Sequence, residues 1–130
     1  MSETTAIATD KGQDIVVLVV EDELFVRLMA VDAIRDAGFV AVEAENADRA
    51  LTLLGERDDI SVMFSDIKMP GSLDGLGLAA TVGKRWPEIN IVLTSGHMYR
   101  GDRDLPPSLP FLQKPYRARE LIAELHRASR

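Results

Sequence analysis

Short β-branched runs alternate along this chain with longer stretches in which apolar residues recur every third or fourth position. The first run, Ile15 to Val20 (IVVLVV), is continuous rather than alternating. A strand that reads this way is buried on both faces, as in a parallel sheet covered by helices. Val26, Met29, Ala30, Ala33, Ile34 and Ala37 follow at helical spacing and predict a single apolar stripe, with Gly38 just past the helix end. Val40 to Ala44 reads as a second strand, and Asn46 as the N-cap of a helix through Leu54 that Gly55 ends. Ile60 to Ser65 (ISVMFS) is a third strand closed by Asp66. Asp74 caps a helix that runs to about Arg85 and stops at Trp86-Pro87. Ile89 to Leu93 is a fourth strand ending at Thr94, and Leu109 to Gln113 a short fifth ending at Lys114-Pro115. The last helix carries Ala118, Leu121, Ile122 and Leu125 on one face.

Strands that alternate with helices imply a parallel sheet with helices on both faces, and right-handed crossovers restrict it to a doubly wound α/β fold. One link in the alternation is weak. Between the fourth and fifth strands, Gly96 to Pro107 contains Gly101 and the pair Pro106-Pro107. Gly costs about 1 kcal/mol in a helix interior and Pro about 3. The segment is expected to hold a turn or two of helix at most, and to be mobile.

At 130 residues the chain has room for one domain, expected over residues 14–130, after a small, polar, aperiodic stretch over 1–13 that reads as a flexible tail. A hydrophobic share of 46% with 28% charged residues separates it from disordered chains. The net charge of −6 argues against nucleic acid or an anionic membrane as partner, since both require a basic face. Without cysteine there is no disulfide or thiolate metal site. The N-terminus lacks a basic segment followed by an apolar core, and the longest apolar run is far too short to cross a bilayer, so a cytoplasmic location is expected.

In an open parallel sheet, ligands bind beyond the carboxyl ends of the strands. Glu21 and Asp22 follow the first strand, Asp66 the third, Thr94 the fourth and Lys114 the fifth. Taken singly, each has a plain structural role: a helix cap, a turn former, a strand-end hydroxyl, a solvated charge. Together they fall at one edge of the predicted sheet. Three carboxylates converging there repel one another unless they are protonated or share a cation. Mg²⁺, or Mn²⁺ in its place, suits such oxygen ligands. Asp66 is then a candidate nucleophile toward phosphorus, with the Lys114 ammonium and the Thr94 hydroxyl directed at the transferring group.

The same residues carry a family resemblance. VVLVVEDE, FSDIKMPG with DG shortly after, IVLTSG and FLQKPY, in that order, make the chain resemble the receiver domain of two-component response regulators from Ile15 onward. The resemblance implies a flavodoxin-like, five-stranded sheet of order 2-1-3-4-5. It implies Asp66 as the phosphoacceptor, Asp22 as a direct ligand of Mg²⁺ with Glu21 nearby, and the Lys68 carbonyl as a further ligand. It places Thr94 and Lys114 on the phosphoryl group, makes Thr94 and Phe111 the switch pair, and makes Lys114-Pro115 a cis bond. Lys68 and Gly96 flank the site and are expected to tune loss of the phosphoryl group to water. The implied partner is a sensor histidine kinase or phosphotransfer protein, with an unidentified downstream protein as target, and the chain is expected to be a monomer or weak dimer.

The expected function is therefore a stand-alone receiver that works by protein contact or as a phosphoryl carrier or sink, and that catalyses only its own phosphorylation and dephosphorylation. Three departures from the commonest receivers stand out: a longer loop at Gly71-Ser72-Leu73, the degraded fourth helix, and Ser95-Gly96 after Thr94. Three other readings fit less well. A pseudo-receiver does not need the intact set of Asp66, Thr94 and Lys114. A haloacid-dehalogenase-type phosphohydrolase requires a second Asp where Lys68 stands. A flavodoxin-type FMN carrier requires a Ser-, Thr- or Gly-rich loop where Glu21-Asp22-Glu23 stands.

Overall fold

The structure is a computed structural model that describes residues 15–99 and 101–130. The tail expected over residues 1–13 lies outside them. Five strands, β1 (Val16–Val20), β2 (Val40–Ala44), β3 (Ile60–Asp66), β4 (Asn90–Ser95) and β5 (Phe111–Gln113), form one sheet of order β2-β1-β3-β4-β5. Every neighbouring pair is parallel. Four helices accompany them: α1 (Leu24–Asp36), α2 (Ala47–Glu56), α3 (Gly75–Arg85) and α4 (Ala118–Ala128). None is long and apolar enough to cross a membrane.

The continuous apolar run of β1 is explained by burial on both sides. Val16, Leu18 and Val20 pack with Ala50, Leu53 and Leu54 of α2 and Leu78 and Val82 of α3. Val17 and Val19, pointing the other way as strand alternation requires, pack with Ala30, Val31 and Ile34 of α1 and Leu121 and Leu125 of α4. Full burial of a side chain such as Leu18 or Ile34 contributes about 1.5–3 kcal/mol. Opposite Val16 and Val17 the register of β3 skips Ser61, a bulge that keeps Ile60 and Met63 on one face and Val62 and Phe64 on the other.

Several local signals work as the sequence suggests. The Asn46 side chain accepts from the Arg49 N–H at 2.8 Å, and Asp74 from the Gly77 N–H at 2.9 Å. Gly38 follows α1 at φ +95°, a conformation that an L side chain rarely adopts. Others differ. The buried face of α1 is Ala30, Val31 and Ile34, while Met29, assigned to the stripe from its spacing, is 73% exposed. Much of the predicted stripe was alanine, whose small burial energy weakly defines the phase of a helix. Ala30 and Ile34 of that stripe are buried as expected, and Val31 beside them draws the buried face toward itself and away from Met29. Gly55 does not end α2, which runs on to Glu56 because Leu53 and Leu54 hold its last turn against the sheet. Between β4 and β5 there is no helix among the described residues, only bends and turns. Leu105 is buried there, with Met98 and Leu109 half-buried beside it, and together they cover the α2–α3 face next to Phe111.

Candidate functional site

Parallel strands deliver their C-terminal residues to one edge, and here that edge is a cleft of about 620 Å³ lined by Glu21, Asp22, Asp66, Lys68, Gly96 and Lys114 among others. Glu21 continues β1 and is held to β2 by its N–H, which donates to the Ala44 carbonyl at 3.1 Å. Asp66 ends β3, where the Ile67 N–H donates to its Oδ1 at 3.0 Å. The start of α3 presses directly on this point. The Gly75 N–H donates to the Ile67 carbonyl at 2.8 Å, and a Cβ on Gly75 would lie 2.1 Å from the Asp66 carbonyl oxygen. Only glycine allows that approach.

Carboxylate oxygens of Glu21, Asp22 and Asp66 lie within 4.8 Å of one another. Glu21 and Asp66 are buried and Asp22 is exposed. The Lys114 Nζ answers this charge, donating to Glu21 Oε1 at 2.8 Å and standing 3.3 Å from Asp66 Oδ2. Burial pushes the Glu21 carboxyl above the usual carboxylate range, against the opposing pull of its hydrogen bond from Lys114. Asp66 is raised by burial too, with the Lys114 charge opposing. Burial alone would lower Lys114, but its hydrogen bond to Glu21 and the charge of Asp66 prevail and hold it above its ordinary value. Tyr116 is pushed up to about 12 by burial and by the charges of Glu21 and Asp66. One ammonium thus faces three carboxylates. The donors are hard oxygens clustered closely enough to share one ion, a set that fits Mg²⁺ or Mn²⁺.

Thr94 pairs in register with Asp66 but does not line the cleft. It is buried, and its hydroxyl donates to the Leu112 carbonyl on β5 at 2.6 Å. Phe111 is buried on β5 opposite Leu93, on the face that Leu105 covers. The Lys114-Pro115 bond is cis. Lys68 lines the cleft with its side chain exposed.

A response regulator receiver domain model matches residues 17–126. The chain belongs to the response regulator receiver domain family. It is 31% identical over 122 residues to a putative NtrX-like response regulator of Rickettsia felis, covering 86% of this chain and 24% of that protein. It is 34% identical over 120 residues to the sensor kinase CckA of Brucella abortus, covering 88% of this chain and 12% of the kinase. Among solved structures, the receiver domain of NtrX from Brucella abortus superposes with a TM-score of 0.77 at 33% identity, over 87% of this chain and 97% of that one. The chain spans a quarter or less of the length of these curated relatives.

Some residues of this receiver's site have no place in the sequence pattern as read. Met69 is buried under the cleft, His97 stands at its rim, and the Ser95 hydroxyl accepts from the N–H groups of His97 and Met98 at 3.0 and 3.2 Å. Arg27 reaches back from α1 to the Glu21 carbonyl. The signal for Arg27 was its position one turn after Glu23, which only a known helix phase makes readable.

Proposed function

We propose that this receiver accepts a phosphoryl group on Asp66 from a phosphohistidine of a sensor histidine kinase or phosphotransfer protein, in a Mg²⁺- or Mn²⁺-dependent reaction. The observation that carries this is Asp66 at the floor of the cleft, 3.3 Å from the Lys114 ammonium and grouped with Glu21 and Asp22. A carboxylate oxygen of Asp66 forms a bond to phosphorus while the donor's N–P bond breaks, and the imidazole leaves with the electron pair. Lys114 holds a positive charge beside the oxygens that gain charge. Asp22, Asp66 and the Lys68 carbonyl, with Glu21 nearby, would hold the divalent ion, which would neutralise charge on the phosphoryl oxygens. Water later attacks phosphorus, the bond to Asp66 breaks, and inorganic phosphate leaves. Lys68 and Gly96 at the rim set the charge and water access for that step.

The Thr94 hydroxyl must leave the Leu112 carbonyl to contact a phosphoryl group on Asp66. Its release loosens the β4–β5 edge next to Phe111 and the 96–110 connection, which we take as the route from phosphorylation to protein contact. In this proposal the chain acts in the cytoplasm, by contact with a downstream protein or as a phosphoryl carrier or sink. Leu24, Phe25 and Met29 of α1 are exposed beside the cleft and suit the approach of the donor protein.

Intact mass after incubation with Mg²⁺ and acetyl phosphate tests this. A gain of one phosphoryl group in the wild type, absent in Asp66→Asn and in EDTA, is expected. No gain from acetyl phosphate or from a phosphorylated histidine kinase would leave a binding module that is never phosphorylated.

A further inference from the structure

The acidic turn after β1 is held by a side chain that does not line the cleft. Glu21 is 4% exposed, so its main-chain groups need partners within the fold. Its N–H donates to the Ala44 carbonyl of β2 at 3.1 Å, and its carbonyl accepts from Arg27 Nη1 at 2.8 Å. Arg27 is fixed in turn, since its Nε donates to Glu43 Oε1 on β2 at 3.0 Å and its own N–H to the Glu23 carbonyl at 2.9 Å. Glu23, the N-cap residue just before α1, makes no side-chain capping bond of its own. Within the turn the Glu21 Oε2 accepts from the Glu23 N–H at 3.1 Å, and a planar guanidinium bridging α1, β2 and the Glu21 carbonyl ties the turn to the rest of the fold.

We propose that Arg27 is a positioning residue for the cation site. Resting on the metal-dependent reading above, the inference is that Arg27 sets the Glu21–Asp22 turn so that its carboxylates converge on Asp66. Outer groups that orient ligands govern metal affinity in this way, and their loss costs roughly 10- to 100-fold. Electrostatics alone predicts the opposite sign, because removing a positive charge near a cation site tightens cation binding.

The test is the Mg²⁺ dissociation constant of the full chain by titration calorimetry, for wild type, Arg27→Gln and Arg27→Lys, with the unfolding midpoint of each in EDTA. Arg27→Gln is expected to bind Mg²⁺ about tenfold more weakly. Arg27→Lys keeps the charge but not the two-pronged hold, and is expected to fall between that variant and wild type. If the Gln variant does not fold, the Lys variant decides. Unchanged or tighter binding in the folded variants, even with a lowered unfolding midpoint, would overturn the inference and leave Arg27 a merely structural clamp. A wild type that binds no Mg²⁺ would overturn the metal-site reading itself, and the inference with it.

Discussion

Two connections flank Asp66, and they are secured in different ways. The one from β3 to α3, residues 67–74, is pinned along its length. Met69 is buried, the Ser72 hydroxyl donates to Asp48 Oδ1 on α2 at 3.2 Å, and the Asp74 side chain caps α3. The Gly75 N–H then closes onto the Ile67 carbonyl. The one from β4 to β5, residues 96–110, has no helix among its described residues. It is held by the Ser95 hydroxyl at its start, by turn hydrogen bonds such as Leu105 N–H to the Asp102 carbonyl at 3.0 Å, and by Leu105 buried near its middle. A connection that feeds a helix inherits that helix's cap and packing. A connection without one depends on local turns and on the apolar contact of Leu105 with its neighbours, and it is expected to open at lower free energy.

A methyl group placed in each connection separates the two most strongly. Gly75→Ala drives a Cβ to 2.1 Å from the Asp66 carbonyl oxygen, whereas a Cβ on Gly96 meets nothing closer than Lys114 Cβ at 3.6 Å. Gly75→Ala is expected to cost about 3 kcal/mol or more by urea unfolding. Gly96→Ala should leave the midpoint nearly unchanged, and similar losses from both would mean that the two connections are equally constrained. Next in size is Leu105→Ala. Removal of a buried leucine side chain costs about 2–5 kcal/mol, and a low value near 2 is expected because the surrounding turns can collapse onto the gap. Its main signature is local: faster amide exchange over residues 101–110 with protection at 67–75 retained. Exchange that rises equally in both segments would contradict a separate low-stability unit. Asp74→Ala should cost about 1 kcal/mol, the loss of one cap, measured as a lowered unfolding midpoint.

The smallest effect expected is on pH dependence, and it concerns the cleft between the two connections. Glu21 and Asp66 carry raised carboxyl pKa values in the folded chain. The folded state therefore keeps these protons at pH values where the unfolded chain has lost them. Their favourable contribution is complete below the ordinary carboxylate range and is lost as pH rises through the raised values. Mg²⁺ competes with those protons, so the rise in unfolding midpoint that it produces should grow from mildly acidic to neutral pH. A midpoint gain independent of pH over that range would mean that these carboxyl groups are not where the ion binds.

The order of elements, the parallel sheet and the gathering of Glu21, Asp22, Asp66 and Lys114 at one edge were legible in the sequence, because each depends on local periodicity and on chain direction. Continuous β-branched runs mark strands buried on both faces, and parallel strands necessarily bring their C-terminal residues together. Asn46, Asp74 and Gly38 marked helix ends for equally local reasons, a side-chain acceptor in two cases and a permitted positive φ in the third. Other features depend on contacts between segments distant in sequence. The phase of α1 that exposes Met29 is set by the sheet beneath it, the hydroxyl of Thr94 is turned to Leu112 by the neighbouring strand, and Arg27 finds its partners on β2 and at the end of β1. Periodicity specifies which residues share a face. Only packing in three dimensions selects which neighbour that face meets.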